Sequence, residues 1–391
     1  MLRPLFIFED LYGRGAERVS LSLISQLDRR EFEPRVWVLR SEDSALRGEV
    51  PPGVPMQVGL GRGQRIRHHP LAVFRSLLRE AARADVIVAT VEVMPTYLAF
   101  VAGLLTGTPV VGWVRNSMDQ TLAMHSGWHT WLARLIYPRL PRLVFVSHGA
   151  RRTLQELMPL RPGRLSVIHN PVDLERIHGL AAEPLPEWAA FMEEHPTVLS
   201  AGRLHRQKGF DLLIEAHARL RAEGHAHELL ILGEGKNPGD RAELQALARR
   251  LGVEGSVHLP GFVPNPYPFM RRAAIYALSS RWEGFANVIP EAMACGAPVV
   301  AADCPSGPAE ILEGGQHGVL VPPENSAALA AALGELLGDP ARREFWREAG
   351  ARRVLDFAPE RLVPAWEAVL RGTAAGRSPG GAAGEASVAQ P

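Results

Sequence analysis

The sequence is poor in several things, and each shortage excludes something. Only two of its 391 residues are cysteine, Cys295 and Cys304, and no paired histidine accompanies them. A disulfide framework and a Cys/His metal site are both excluded, and the reading is two buried thiols in a reducing cytoplasm. No run approaches the roughly 18 consecutive apolar residues that a membrane span needs. The opening stretch, MLRPLFIFEDLYGRG, lacks the apolar core and small-residue cleavage site of a secretory signal. Aromatic residues make up 7% of the chain and are not interleaved with its basic stretches. A base-stacking surface is therefore not expected, and nucleic acid is not a predicted partner. Lysine is nearly missing: Lys208 and Lys236 stand against 41 arginines. Where a compact ammonium appears in such a chain, a planar fork does not replace it. No Asp-x-Asp pair is present to hold a divalent ion against a diphosphate, so neither a metal nor another cofactor is expected.

What is present describes a globular protein. Hydrophobic residues at 46% and charged residues at 22% fit a soluble chain, and the length suggests two domains. The net charge of +1 is unevenly spread. Residues 1–180 hold 23 Arg against 16 acidic residues, whereas the remainder holds 20 basic against 26 acidic. The basic half points either to an anionic partner, such as a phosphorylated acceptor or a membrane surface, or to a chance excess of solvated arginine.

Short apolar runs alternate with helical periodicity. LFIF (5–8), RVWVL (35–39), DVIVAT (85–90), TPVVGWV (108–114) and LVFVS (143–147) read as buried strands. Helices are expected near 16–27 and 69–84. SVIHNPVDLERI (166–177) looks like a last strand and turn, and the Pro- and Glu-rich 181–196 like an interdomain linker. The pattern then restarts with TVLSAG (197–202), ELLILG (228–233), VHLPG (257–261), AIYALSS (274–280), APVVAAD (297–303) and GVLVP (318–322). The expected architecture is α/β, with two doubly wound Rossmann-like domains facing across a cleft. The expected divisions are 1–180, a linker at 181–196, 197–354, a C-terminal helix at 355–371 that can return to the N-terminal domain, and a disordered tail at 372–391.

Three constellations carry chemistry. In SAGRLHRQKGFDLLIEA (200–216), Arg203 and Lys208 follow a strand and precede a helix, an arrangement suited to a diphosphate. In ILGEGKNPGD (231–240), Gly233 and Gly235 allow close backbone approach, a weak signal alone. In SSRWEGFANVIPEAMACGAPVVAAD (279–303), Glu283 and Glu291 flank a tight loop of Gly284, Phe285, Ala286 and Asn287. Pro290 suits a first helical turn, which puts Glu291 at a helix start. Carboxylates do not bind phosphate but accept bonds from hydroxyls, such as those of a ribose and a sugar on either side of a diphosphate. A helix-dipole role for Glu291 and a solvated loop role for Glu283 are the plainer alternatives.

The order GRL…KG, LGEG, Gly261–Phe262, then E-G-F-x-N-x-x-x-E-A-M-A-C-G-x-P-V-V resembles the family-4 type of retaining glycosyltransferases, group 1, with the GT-B fold. GRGAERV and VIHNPVDLERI are similar to that family too, and the resemblance spans roughly 5–370. DCPSGPAEIL (303–312) resembles a bacterial subgroup acting in surface-polysaccharide or lipid-linked glycan assembly. The resemblance implies that Arg203 and Lys208 hold the donor diphosphate and stabilise the leaving nucleotide, with UDP the commonest nucleotide. It implies that Glu291 binds ribose hydroxyls and Glu283 contacts the transferred sugar. Backbone at Phe285, Ala286 and Asn287 would touch phosphates or sugar, Gly261 and Phe262 would lie beside the base, and Gly13 and Gly15 would close over the donor.

The sequence departs from the family at one place. Many relatives carry a histidine where VVGWVRNSMDQ (110–120) has Arg115. An arginine stays protonated and is no base, so a contact to donor or acceptor oxygens competes with a structural loop role. The resemblance implies that the acceptor, a glycan or lipid-linked molecule, is bound by the N-terminal half. GRGQRIRHH (61–69) and the Arg-rich 134–152 are candidates for an anionic membrane surface on the cytoplasmic side or for a phosphorylated carrier, with a solvated face the plainer alternative. The competing readings are an epimerase or phosphorylase on the same scaffold and an inactive sugar-nucleotide-binding protein.

Overall fold

The computed structural model describes residues 1–12, 15–40, 46–61, 64 and 68–376. It divides into two compact units: residues 1–171 together with the last helix, and residues 172–358.

The first unit holds seven strands: β1 (Pro4–Phe8), β2 (Arg35–Arg40), β3 (Met56–Leu60), β4 (Val86–Ala89), β5 (Val110–Val114), β6 (Arg142–Phe145) and β7 (Leu165–Val167). They form one parallel sheet in the order β3-β2-β1-β4-β5-β6-β7. Strands β1, β4, β5 and β6 are buried at every position, which is why they read as unbroken apolar runs. The edge strand β3, MQVGL, buries only Leu60 and carries no such signal. Helices α1 (Gly15–Gln26), α2 (Pro70–Ala81), α3 (Met94–Thr106), α4 (Met118–Ala123), α5 (Gly127–Ile136) and α6 (His148–Leu157) connect the strands.

The second unit repeats the plan with β8 (Thr197–Ala201), β9 (Glu228–Leu232), β10 (Val257–Gly261), β11 (Ile275–Leu278), β12 (Val299–Ala302) and β13 (Val319–Val321). These lie parallel in the order β10-β9-β8-β11-β12-β13. Its helices are α7 (Leu174–Ala181), α8 (Phe191–Glu194), α9 (Phe210–Ala222), α10 (Pro238–Arg250), α11 (Tyr267–Arg272), α12 (Val288–Ala294), α13 (Pro308–Ile311), α14 (Ser326–Gly338) and α15 (Pro340–Val354). Val198, Leu229, Ile231, Ile275, Ala277 and Val300 on the sheet bury α9 and α14 through Leu213, Ile214, Leu329 and Leu333. In each unit the strand order reverses once, between β1 and β4 and between β8 and β11. Open α/β sheets bind ligands at such a point, outside the carboxyl ends of the strands.

The domain boundaries differ from those read in the sequence. Residues 172–180 belong to the second unit, because Val172 N–H donates to Phe357 O at 2.8 Å and His178 Nε2 meets Ala294 O at 3.1 Å. The stretch 181–196 is no free linker either. Trp188 stacks on Phe269 at 5.4 Å and Phe191 on His258 at 3.9 Å, anchoring it to the second unit. Residues 355–358 stay there too, with Phe357 edge-on to Phe285. The last helix, Pro359–Ala374, joins the first unit, burying Trp366 against Trp113 at 4.3 Å between ring centroids. Of the expected tail, residues 372–374 complete this helix and bury Thr373, and 377–391 lie outside the described residues.

Candidate active site

The donor constellations meet at the switch point of the second unit. Arg203 and Lys208 follow β8, while Glu283 and Glu291 follow its neighbour β11. Gly209 makes the join possible. It sits at φ +62°, and a Cβ there would stand 2.1 Å from Ser279 O, so only glycine lets the loop after β8 lie against the end of β11. The loops are stitched from both sides. The Ser279 hydroxyl donates to Lys208 O at 2.9 Å, Arg281 N–H to Gln207 O at 2.7 Å, and Gln207 Nε2 to Trp282 O at 2.9 Å. Arg281 adds a forked contact to Asp211, at 2.9 and 2.7 Å, tying the loop to the first turn of α9.

This stitching presents Lys208 to Glu283. Their side chains approach to 2.5 Å, and the Ser280 hydroxyl donates to the same carboxylate oxygen at 2.6 Å. Glu291 occupies the first turn of α12 and is half-buried. Both carboxylates bear on Tyr276 of β11. Burial holds its phenol well above the usual range, and the charges of Glu291 and Glu283 push the same way. Arg203 is exposed. The imidazole of His205 is held below its usual pKa, first by burial and then by the positive charge of Arg203, with Lys236 adding to it and Asp240 opposing.

The loop Gly284–Asn287 is tight. Ala286 takes φ +65°, an uncommon backbone state for a residue with a Cβ. Phe285 turns its ring inward onto Phe357. Gly233 lies where β8, β9 and β10 end together. Its N–H donates to Gly261 O at 2.8 Å, and a Cβ on it would reach within 1.8 Å of Gly202 O. Phe262, beside Gly261, is 63% exposed.

In the first unit, Arg115 follows β5 and is buried. Its guanidinium donates to Ala16 O at 2.7 Å and to the Ser20 hydroxyl at 3.1 Å, and lies 3.5 Å over the Trp113 ring. Burial pushes its pKa down to about 9, with Glu92 and Glu17 opposing. At neutral pH it remains a cation. Glu92, after β4, accepts from the backbone N–H groups of Arg115 and of Asn116, the latter at 2.7 Å. The Asn116 amide donates to its other oxygen at 3.1 Å.

Comparison with known proteins decides the family. Residues 195–339 match the family described as glycosyl transferases group 1, and residues 13–176 match glycosyltransferase family 4. The N-acetylgalactosamine-N,N'-diacetylbacillosaminyl-diphospho-undecaprenol 4-alpha-N-acetylgalactosaminyltransferase of Campylobacter jejuni is 30% identical over 273 residues, 67% of this chain and 70% of that one. The chain belongs to the group 1, family-4 glycosyltransferases. The lipopolysaccharide core biosynthesis glycosyltransferase LpsE of Rhizobium meliloti is 33% identical over 176 residues, 45% of this chain and 49% of that one. Among solved structures, Anabaena HepE in complex with UDP-glucose superposes with a TM-score of 0.82 at 21% identity, over 95% of this chain and all (100%) of that one. WaaG, a glycosyltransferase involved in lipopolysaccharide biosynthesis, gives 0.73 at 17%, over 95% and 100%. These likenesses establish the GT-B fold.

Within this glycosyltransferase, Arg203, Lys208, Gly233, Gly261, Phe262, Glu283, Gly284, Phe285, Ala286, Asn287 and Glu291 all lie at the carboxyl ends of the second sheet. Gly15 opens α1 beyond β1, and Gly13 lies outside the described residues. The basic stretch 61–69 lies mostly outside them as well. Arg115 contacts α1 and the Trp113 ring. Cys295 and Cys304 are buried, and burial raises both thiols, Cys295 up to about 12 with Glu291 contributing. Sequence reasoning passed over Ser280, Arg281 and Tyr276, which hold the site together. It also passed over Glu92, whose signal is a lone acid three residues beyond the end of β4.

Proposed function

We propose that this glycosyltransferase moves a sugar, with retention of anomeric configuration, from a UDP-sugar to a glycan or lipid-linked acceptor in bacterial surface-polysaccharide assembly. The observation that carries the reading is the pairing at the second switch point of two cations after β8 with two carboxylates after β11. Cations match a diphosphate and carboxylates match hydroxyls, and a nucleotide sugar presents both. Arg203 and Lys208 neutralise charge growing on the departing diphosphate, which stabilises the transition state without a divalent ion. Glu291 takes the ribose hydroxyls and Glu283 the transferred sugar. With Glu283 already bonded to Lys208 and Ser280, a front-side path is the better fit. The acceptor oxygen bonds to the anomeric carbon as the anomeric carbon–phosphate oxygen bond breaks, and the acceptor proton passes to the leaving phosphate. The names of the Campylobacter and Rhizobium relatives support an acceptor in lipid-linked glycan or lipopolysaccharide assembly, and so a site of action at a membrane face.

A thermal-shift panel of UDP-, GDP- and ADP-sugars tests the donor, since a ligand that binds only the folded state raises the melting temperature. UDP-sugars are expected to stabilise selectively, and Lys208→Ala and Glu291→Ala to abolish the response. Undiminished shifts in both variants would overturn the donor assignment. NMR of the product's anomeric proton tests retention, and a sugar adduct on Glu283 found by mass spectrometry would replace the front-side path.

A further inference from the structure

Helix α5, GWHTWLARLI, is apolar on the wrong side. Its inward face is supplied by Ala133 and Ile136, which are buried. Its outward face carries Trp128, Trp131 and Leu135, spaced so that they line one stripe of a helix. Trp131 is 65% exposed, Trp128 53% and Leu135 37%, and Met124 just before the helix is 62% exposed. Large side chains scattered singly over a surface need no explanation, but four within twelve residues do. The charge along this stretch of the sequence is of one sign. No acidic residue occurs between Asp119 and Glu156, while Arg134, Arg139, Arg142, Arg151 and Arg152 do. Arg142 is buried, whereas Arg134 and Arg139 are exposed, and Arg139 is folded back to donate to Leu135 O at 2.5 Å beside the apolar stripe. Among the described residues no helix is long and apolar enough to cross a membrane.

We infer that α5 is a surface anchor for an anionic lipid bilayer, lying in the headgroup plane with Trp128, Trp131 and Leu135 inserted and Arg134 and Arg139 on the phosphates. Tryptophan suits that depth, having an apolar ring and one N–H for the wet side, and arginine adds attraction to anionic lipid. A purely protein-binding face has no reason to exclude every acid over the same stretch. The inference extends the lipid-linked-acceptor reading but stands on α5 and its flanks alone.

The test is co-sedimentation of the full chain with phosphatidylglycerol-containing vesicles and with phosphatidylcholine vesicles. Binding to the anionic vesicles alone, weakening as salt rises, is expected. Trp128→Ser/Trp131→Ser is expected to reduce it about tenfold or more, with Trp131→Ser alone intermediate and the melting temperature unchanged. Lys208→Ala is expected to lose the nucleotide-sugar response and keep vesicle binding, which separates failure of this inference from failure of the donor assignment. Absence of binding, equal binding to neutral vesicles, or binding indifferent to both tryptophan variants would overturn the anchor. So would a vesicle-free dimer that the double variant dissolves, which would assign the face to a second copy of the chain.

Discussion

Lys208 Nζ lies 2.5 Å from Glu283 Oε1, and the Ser280 hydroxyl shares that oxygen at 2.6 Å. Both charged side chains are mostly withdrawn from water, at 17% and 8% exposure. The ammonium is therefore held by the carboxylate proposed to meet the sugar. On the proposed donor reading a diphosphate draws Lys208 partly away from the carboxylate, and the two residues are expected to act as a coupled pair. Lys208→Ala is expected to lower kcat/KM by about 10²–10³ by removing a cation from the leaving group. It also strips the Glu283 carboxylate of its cation and is expected to cost about 1–3 kcal/mol of stability. Glu283→Gln keeps the shape and should cost less stability. The double variant should show effects well short of the sum of the singles. Additive losses in the steady-state kinetics of the four proteins would show that the pair is uncoupled.

Gly233 offers a test that touches no charge. Any side chain at this position places its Cβ 1.8 Å from Gly202 O, and the backbone is already at φ +151°. Gly233→Ala therefore forces the ends of β8 and β9 apart, just where Arg203 departs from the sheet. The expected result is a lower melting temperature together with loss of stabilisation by nucleotide sugar. Gly239→Ala, at a position with open space around the Cβ, is the control and should change neither. A Gly233→Ala protein that binds donor normally would show that this close approach does not set the site.

The elements most legible in the sequence are those whose physics is local. Buried parallel strands such as β4 and β11 announce themselves as apolar runs, because both faces are covered. Arg203, Lys208, Glu283 and Glu291 stand out because their loops carry glycines and an unusual lysine. Strand β3 stayed hidden because an edge strand that buries one residue has no periodic signature. The boundary near 172 was hidden for another reason. Only the packing of α7 and of Trp188 and Phe191 assigns 172–196 to the second unit, and contacts distant in sequence leave no local mark. The same holds for Lys208 and Glu283. Each was legible as a charged residue in a turn, but their union depends on Gly209 and Ser279, 70 residues apart.

A buried histidine pair in the second unit sets a pH dependence. His217 Nδ1 and His227 Nε2 are 2.9 Å apart, His217 Nε2 meets the Ser256 hydroxyl at 2.8 Å, and His227 Nδ1 meets His225 O at 3.0 Å. A carbonyl accepts only, so His227 Nδ1 carries a proton and Nε2 accepts from His217 Nδ1–H. Both rings are then neutral, and a further proton would place a charge in this buried site. Burial lowers both pKa values, that of His217 to about 3, with His227 and Arg221 adding to the effect. Because the folded state binds fewer protons than the unfolded chain, the full stability is present above about pH 6.5 and is lost as pH falls toward the folded value. The urea midpoint is expected to drop between pH 7 and pH 5, and His217→Gln to flatten that drop. An unchanged slope in the variant would assign the acid sensitivity elsewhere.

Arg115 is the final test, because its geometry separates a brace from a ligand. Its guanidinium is stacked on Trp113, whose other neighbour is Trp366 of the last helix, and it reaches α1 through Ala16 O and the Ser20 hydroxyl. It thus connects β5 to the first turns of α1, next to Gly15. Removing it leaves Ala16 O and Ser20 without their charged donor and opens a space beside Trp113. Arg115→Ala is expected to destabilise the first unit by about 2–4 kcal/mol, two charge-assisted bonds being lost. Arg115→Lys should recover only part, since an ammonium neither forks nor stacks flat on indole. A brace acts on the stability of the first unit, so in the variants that fold any loss of activity should track the loss of stability, and Ser20→Ala should reproduce a fraction of it. If Arg115→Ala keeps its melting temperature while the donor KM alone rises steeply, the side chain is a direct ligand contact and its burial against Trp113 is only the resting arrangement.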